Sequence, residues 1–306
     1  APIMFLLFKE ANLPRHLTMA CLITGSATYT MTALPGTPQT INVTPIPYLG
    51  TTVTAGATLG IICGIIGIAA TCVYMYWEAA RARAVGDGFT ADTATLEALS
   101  KADEAGSNIN PIVALIPILV IIVLLVGLQI NVLISMLAGS AACALLFFKN
   151  VKNVPSLLGD SVQSAMSAAI TTGCIVGYGA VVSASTGYAT LSAALLSLDA
   201  PPLISYGLTT TILAGAAGSG TGGLAIALEN LAPQYLEMGI SAEVLHRIGC
   251  LSAIGLDSLP HNGAVVVLLT LAGMTHKESY KQIFVTTVVL TVIVAAIGIA
   301  LATVMY

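Results

Sequence analysis

The sequence predicts a polytopic membrane protein built from α-helices. Only 8% of the 306 residues are Asp, Glu, Lys or Arg, whereas roughly a quarter are charged in a typical soluble domain, and the mean hydropathy is +0.94. The charges are unevenly distributed, because none occurs from Leu17 to Trp77, from Ala105 to Phe148 or from Gln282 to Tyr306. A helix needs about 20 apolar residues to cross the hydrocarbon core of a bilayer. Each block is therefore long enough for at least one crossing.

The apolar runs predict the membrane spans in chain order, although several runs are short or rich in glycine for a simple span. The candidates are Leu17–Leu34, Val53–Trp77, Pro111–Leu128, Ile130–Phe148, Ser161–Ser183, Pro201–Ala217, Ala242–Leu256, Ala264–Gly273 and Gln282–Tyr306. One long hydrophilic segment, Glu78–Asn110, separates them into two groups. The chain starts at Ala1 without Met, and its first apolar stretch, Ala1–Phe8, is too short to cross a bilayer. We therefore expect that further residues precede it.

The basic residues predict the orientation of the spans. They cluster in three places where the predicted spans end, and the turns on the opposite side carry no charge, which is the pattern of cytoplasmic loops. These clusters are Lys9 with Arg15, Arg81 with Arg83, and Lys149 with Lys152. We therefore predict that Glu78–Asn110 is a cytoplasmic linker.

The remaining composition narrows the class of protein. A net charge of −4 that is spread over loops predicts no nucleic-acid partner. The six cysteines lie in apolar segments without any Cys-x-x-Cys pair, so we expect small buried side chains rather than metal ligands or disulfides. They are Cys21, Cys63, Cys72, Cys143, Cys174 and Cys250. The sequence predicts no metal, cofactor or catalytic residue.

Two segments interrupt the predicted membrane helices, Thr32–Gln39 and Asp257–Gly263. Each contains Leu-Pro after a small residue together with a glycine, and both residue types end regular helix. Unwound backbone at membrane depth persists only where it is buried in protein or lines a cavity. Paired breaks in two halves indicate inverted repeats, which predicts residues 1–77 as the end of a first repeat, 78–110 as the linker and 111–306 as the second repeat. The alternative is a pair of proline kinks that only assist packing.

The sequence after each break suggests a helix N-terminus. Thr37 and Pro38 are suited to the N-cap and first position of a new helix, and Asn262 is suited to cap the run that begins at Ala264. A helix N-terminus presents free N–H groups and positive potential, so each break is a candidate anion site. A third glycine-rich segment, Gly215–Gly223, lacks the Gly-Lys-Ser/Thr ending of a phosphate loop. We predict that it forms the tip of a re-entrant hairpin.

Asp257 and His261 are ionisable residues in a stretch that is otherwise uncharged from Ile248 to His276. Intramembrane carboxylates are costly and usually face a cavity or carry function. We therefore predict Asp257 as the first candidate for cation coupling and His261 as the second. The alternative is that Asp257 only hydrates the unwound turn.

At these motifs the chain resembles the gluconate:proton symporter family of permeases, within the wider ion-transporter superfamily. The resemblance rests on LFKEANLPRHL (Leu7–Leu17), TMTALPGTPQTIN (Thr30–Asn42), GAVVSASTGY (Gly179–Tyr188), GSGTGGLAIALE (Gly218–Glu229) and GLDSLPHNGAVVVLL (Gly255–Leu269). It implies uptake of gluconate-like or other small hydroxy- and keto-carboxylates across the bacterial inner membrane, coupled to H⁺ or Na⁺. It also implies an inverted-repeat fold with discontinuous helices and two hairpins, a homodimer and an elevator-like movement.

The resemblance and the breaks together predict a substrate site built from neutral groups. Hydroxyls and helix N-termini can hold a carboxylate without the cost of burying an arginine. Arg247, the basic residue near these motifs, is expected to be structural. Together with Glu243 and His246 it is expected to lie near a membrane boundary. The predicted lining residues are Thr32, Pro35, Gly36, Thr37, Ser219, Gly220, Thr221, Gly222, Ser258 and Asn262.

Three other functions remain as alternatives to symport. A sodium/proton antiporter of related fold would bind its ion at Asp257 and carry no organic acid. An intramembrane enzyme is disfavoured, because the sequence has no His-Glu-x-x-His and no Ser/His pair in a matching context. A channel is disfavoured because nothing resembles a repeated selectivity filter.

Overall fold

The computed structural model describes residues 2–90, 111–128, 130–150 and 153–306, and within these ranges all regular structure is helical. The prediction for 78–110 concerns in part residues 91–110, which lie outside the described ranges. The chain forms two compact units, one of residues 1–103 and 175–306 and one of residues 104–174. The proposed division into two repeats and a linker stays a prediction.

The larger unit contains both predicted breaks. Its helices are α1 (Pro2–Glu10), α2 (His16–Ala27), α3 (Tyr29–Thr32), α4 (Thr40–Val43), α5 (Ile46–Leu49), α6 (Ala57–Ala84), the end of α9 (Val154–Ser183), α10 (Thr186–Leu196), α11 (Pro202–Ala217), α12 (Gly220–Glu237), α13 (Ala242–Ala253), α14 (Gly263–Leu271), α15 (His276–Phe284) and α16 (Leu290–Met305). A π-helical turn, Val285–Val289, joins α15 to α16. The smaller unit holds α7 (Pro111–Ile122) with a π-helical turn Val123–Gly127, α8 (Val132–Phe147) with a 3₁₀ turn Phe148–Asn150, and the first part of α9.

Two helical segments of the described chain are long and apolar enough to cross a membrane, Ala57–Ala84 and His276–Met305. They correspond to the predicted spans Val53–Trp77 and Gln282–Tyr306, and they pack against each other. Helix α6 continues to Ala84, so the first residues of the predicted linker are helical. Three shorter apolar helices, Val113–Gly127, Val132–Phe147 and Pro202–Ala217, match other predicted spans.

The outward side of α6 is apolar, as expected of a helix that faces lipid. Ile65 and Val73 are 63% and 69% exposed, and Tyr76 and Trp77 are exposed near the end of the helix. Arg81 lies over the Trp77 ring, 5.7 Å from its centroid. Aromatic and basic residues in this order are typical of a membrane boundary.

The cysteines only partly follow the prediction. Cys63 and Cys250 are buried, whereas Cys72, Cys143 and Cys174 are exposed on their helices. The expectation of buried side chains was wrong for these three, because they lie on helix faces that point away from the protein core.

The inner side of α6 packs tightly against the first break. A side-chain carbon at Gly60 would collide with the carbonyl oxygen of Ala33, and one at Gly67 would collide with the Tyr29 ring. Small residues at such positions let helix backbones approach closely. The first break is therefore held against a long helix by contacts that exclude a larger residue.

Candidate functional site

The first break consists of short helical turns separated by irregular backbone. Gly36 adopts a left-handed conformation with φ of 83°, and its N–H donates to the carbonyl of Val53 over 2.9 Å. The next helical turn starts at Thr40, not at Pro38, and Gln39 precedes it without a side-chain cap. The predicted N-cap role of Thr37 was wrong, because its hydroxyl points back to the carbonyl of Leu34, 3.4 Å away.

Arg247 of α13 holds this break from inside the protein. Its side chain is fully buried, and Nη1 donates to the carbonyl of Thr32 over 2.7 Å. Nε and Nη2 donate to the carbonyl of Ala55 over 3.1 and 2.6 Å. Within the described residues no carboxylate lies at ion-pair distance from this guanidinium. Backbone carbonyl groups at and near the first break therefore stabilise the charge of Arg247.

Asn42 connects Arg247 to the rest of the break. Its Oδ1 accepts from Arg247 Nη1 over 3.1 Å and contacts His246 Nε2 at 3.3 Å. Its Nδ2 donates to the carbonyls of Thr37 and Val53, each over 2.9 Å. An amide offers two acceptor positions and two donors, and all four are used here.

His246 completes the network around the first break. Its Nδ1 lies 2.7 Å from the hydroxyl of Thr51, so a neutral ring with its proton on Nε2 satisfies both of its contacts. The structure buries His246 and Arg247 completely, and their expected position near a membrane boundary stays a prediction. They face the unwound chain because α13 packs directly against α3, α4 and α5.

The second break follows α13, which ends at Ala253. Turns occupy the next residues until Asn262 caps α14, where its Oδ1 accepts from the N–H of Val265 over 3.1 Å. The prediction that Asn262 is an N-cap is confirmed. Helix α15 holds the break from one side, since the Tyr280 hydroxyl donates to the carbonyl of Ser258 over 2.9 Å.

The glycine-rich segment forms a tight helical hairpin from α11 and α12. Gly218 turns the chain with φ of 60°, and Ser219 caps α12 by accepting from the N–H of Gly222 over 3.3 Å. The Thr221 hydroxyl lies 3.3 Å from that of Ser219. A side-chain carbon at Gly223 would collide with the backbone of Ala214. The hairpin is thus closely packed, and its depth in a membrane stays a prediction.

The hairpin tip and the second break meet through three residues. Asn262 Nδ2 donates to the carbonyl of Gly218 over 3.1 Å and to Asp257 Oδ1 over 2.9 Å. His261 Nε2 lies 2.9 Å from the carbonyl of Gly215. The backbone N–H of Gly220 also lies close to Asp257, and a side-chain carbon at Gly220 would be 3.2 Å from Asp257 Oδ2. The Asp257 carboxylate therefore lies at the N-terminus of α12, where the helix dipole favours a negative charge.

Gly220 also connects the two breaks. A side-chain carbon at this position would lie 2.9 Å from Ile41 in α4, which directly follows the first break, 2.8 Å from the carbonyl of Ala253 and 3.2 Å from Asp257 Oδ2. Cys250 Sγ in turn lies 3.4 Å from the carbonyl of Ile41. The start of α12 is thus placed between the first and the second break.

The structure gathers most of the predicted site residues around the start of α12. Ser219, Gly220, Thr221 and Gly222 form the tip, and Asp257, Ser258, His261 and Asn262 form the break beside it. Thr32, Pro35, Gly36 and Thr37 belong to the first break, where Thr32 is fully buried under Arg247. A cavity of about 1000 Å³ lies between α11, α13 and α16, and no predicted site residue lines it.

The sequence did not predict a role for Asn42, and it did not predict that His246 and Arg247 bond to the first break. The available signal was the adjacent His-Arg pair in α13, because ionisable residues inside a membrane usually carry a role. Asn42 gave no comparable signal, since a single amide after a helix break is common in turns.

The chain was compared with known proteins. No family profile matches it, and neither does any solved structure. It is similar to the uncharacterized transporter YxjC of Bacillus subtilis (strain 168), with 31% identity over 333 aligned positions that cover 95% of this chain and 71% of the relative. Identity of this level over nearly the whole chain indicates common descent, and the chain therefore belongs to the transporter family of YxjC.

Proposed function

We propose that this transporter is a secondary active carrier that imports a small hydroxy- or keto-carboxylate together with a cation, with H⁺ as the coupling ion. The observation that supports this function is the Asp257 carboxylate at the N-terminus of α12, beside the hydroxyls of Ser219 and Thr221. The proposal places the protein in the cytoplasmic membrane as a homodimer, as the family resemblance implies.

The arrangement suggests how a proton and a substrate would bind together. A helix N-terminus is a ready site for a carboxylate, and Asp257 already supplies one from within the protein. A second carboxylate beside it is unfavourable, because like charges in one site repel each other. A proton on Asp257 removes that repulsion and weakens its hold on the N–H of Gly220. The substrate carboxylate then binds the N–H groups of α12 in its place.

This exchange explains why the loaded carrier would be able to move. A substrate anion and one proton together add no net charge, so the loaded site, with neutral Asp257 and one substrate carboxylate, carries the same single negative charge as the empty site. A further unpaired charge would be costly within a membrane. An empty, deprotonated site keeps Asp257 bonded to Asn262 and close to the N–H of Gly220. Both states of the site therefore satisfy the donors at the start of α12.

The hydroxyls of the tip support a hydroxy or keto acid over a simple fatty acid. Ser219 and Thr221 are partly exposed at the start of α12, and their oxygen atoms lie 3.3 Å apart. A hydroxyl both donates and accepts hydrogen bonds. Two of them can therefore bind an oxygen substituent next to a carboxylate that rests on the helix N-terminus.

His261 is the weaker coupling candidate. Its Nε2 donates to the carbonyl of Gly215 and so ties the second break to α11. We assign His261 a positioning role, in which it fixes the hairpin tip relative to Asp257.

Transport by the purified protein in liposomes with an imposed pH gradient tests this function. The assay uses a panel of radiolabelled hydroxy and keto acids and compares wild type with Asp257→Asn. We expect the variant to lose accumulation but to retain substrate counterflow, because Asn keeps the shape of the neutral carboxyl group. Accumulation like that of wild type would exclude Asp257 from coupling. Sodium/proton exchange without uptake of any acid would instead support the antiporter alternative.

A further inference from the structure

Helix α6 buries a second carboxylate toward its C-terminal end. Glu78 is only 6% exposed, and two polar side chains contact it at long range. The Tyr74 hydroxyl lies 3.4 Å from its Oε1, and Gln282 Nε2 of α15 lies 3.4 Å from its Oε2. Both distances exceed the range of about 2.7–3.2 Å that is usual for such hydrogen bonds. The carboxylate is thus buried but only weakly bonded.

The cation nearest to Glu78 does not neutralise it well. Arg81 Nη1 lies 4.0 Å from Glu78 Oε1, and the Arg81 side chain is 57% exposed. An ion pair with one solvated partner at this distance contributes little. Other charged or titratable groups lie farther along α6, including Cys21 near Cys72, Tyr29 at Gly67 and Arg247 near Cys63. A buried carboxylate needs closer compensation.

Gln282 provides the observation that points to a ligand. Its side chain is 7% exposed, and its Oε1 has no hydrogen-bond partner among the described residues. A half-turn of the amide exchanges Oε1 and Nε2 at almost no change in shape, so the unpaired oxygen can face Glu78. The π-helical turn Val285–Val289 begins three residues later, and such turns are frequent at functional sites.

We infer that Glu78, Tyr74 and Gln282 form a binding site for Na⁺ between α6 and α15. Hard cations take carboxylate, carbonyl and hydroxyl oxygens as ligands at about 2.4 Å, and two ligands at right angles then lie about 3.4 Å apart. The two contacts of Glu78 have this separation. One carboxylate neutralises one positive charge, which favours a monovalent ion over Ca²⁺ or Mg²⁺. The site is independent of the ion that couples at Asp257.

Thermal unfolding in detergent measures this binding without any organic substrate. Wild type is titrated with NaCl and, at equal ionic strength, with choline chloride. We expect stabilisation by Na⁺ that saturates, and a concentration for half-maximal stabilisation that rises at least tenfold in Glu78→Gln. Glu10→Gln, at an exposed position of α1, is the control and should behave as wild type. Since no acid is present, failure of the proposed carboxylate transport would leave this result unaffected.

Further variants keep the test decisive if Glu78→Gln does not fold. Gln282→Met keeps the carboxylate and the side-chain volume but removes the oxygen ligand, and Tyr74→Phe removes only a hydroxyl. Each should weaken the Na⁺ effect several-fold. Equal stabilisation by NaCl and choline chloride in wild type, equal stabilisation by KCl or CaCl₂, or unchanged Na⁺ dependence in all three variants would overturn the inference.

Discussion

The two helix breaks have similar sequences but opposite electrostatics. In the first, backbone carbonyls and Asn42 surround the guanidinium of Arg247. In the second, the N–H of Gly220 and the amide of Asn262 surround the carboxylate of Asp257. Arginine stays charged in proteins, whereas a buried carboxylate can take up a proton. The first break is therefore suited to a permanent structural contact, and the second is suited to a change of protonation state.

A helix break therefore does not by itself specify an anion site. The first break ends in a helical turn of four residues, Thr40–Val43, and offers mainly carbonyl oxygens to its surroundings. The second lies against the start of α12, which is 18 residues long and has its own cap. What each break binds depends on the element that packs against it.

The largest expected effect is that of removing the Arg247 side chain. Arg247→Met leaves the carbonyls of Thr32 and Ala55 without their side-chain donor and leaves the Oδ1 of Asn42 with His246 as its donor. Each buried acceptor that loses its partner costs about 1–3 kcal/mol. We expect loss of folded protein, or a fall in melting temperature of many degrees. Arg81→Met, at an exposed position, is the control and should be close to wild type.

Thermal unfolding in detergent and size-exclusion chromatography measure this difference. A stable Arg247→Met protein that no longer binds substrate would contradict the structural role of Arg247. Arg247 would then be a substrate ligand, and the first break would be the one that changes state during transport.

The next effect concerns the start of α12. A methyl group in Gly220→Ala would meet Ala253, Ile41 and the Asp257 carboxylate, at 2.8, 2.9 and 3.2 Å. We expect uptake to fall more than tenfold and stability to fall by about 1–3 kcal/mol, as for other overpacked positions. Gly222→Ala is the matched control, because its added carbon meets only Ser219 atoms at 3.4 and 3.6 Å.

Uptake in liposomes and thermal unfolding measure both glycine variants. Equal activity in the two would show that the contact between Gly220 and Asp257 has no role in transport.

A smaller effect is expected from the cap of the second break. Asn262→Ala removes the bonds to Val265, Gly218 and Asp257, and loss of an N-cap costs about 0.5–2 kcal/mol. Asn262→Ser keeps a capping oxygen and should recover part of this stability without restoring the bond to Asp257. We therefore expect it to be more stable than Asn262→Ala but to show altered proton dependence of uptake. If Asn262→Ser matched wild type in both measurements, the bond to Asp257 would be unimportant.

The smallest effects compare hydroxyls at the two breaks. Thr221→Ala removes a hydroxyl at the tip, and a neutral hydrogen bond is worth about 0.5–1.5 kcal/mol, so substrate affinity should fall roughly two- to tenfold. Thr37→Ala removes only a long contact to Leu34 and should leave affinity unchanged. Substrate-induced thermal stabilisation measures both. A larger loss in Thr37→Ala than in Thr221→Ala would place the substrate at the first break.

Much of the candidate site could be predicted from local sequence. The Gly215–Gly223 segment and Asp257–Asn262 stood out because glycine, proline and ionisable residues are unusual in long apolar runs, and the cap at Asn262 follows from its place before Ala264. The role of Thr37 was predicted by the same local rule and was wrong. Its hydroxyl bonds backwards along the chain because Asn42 and Gly36 fix the backbone around it.

The sequence by itself determined the helical class and the positions of the breaks, because hydropathy and backbone restriction act over neighbouring residues. Only the tertiary structure decided which charge meets which break. Arg247 bonds to Thr32 from 215 positions away, and Asn262 bonds to Gly218 from 44 positions away. Such pairings depend on how α12 and α13 pack against the two helix breaks. The packing of uniformly apolar helices is difficult to predict from the sequence, because many of their faces are equally apolar.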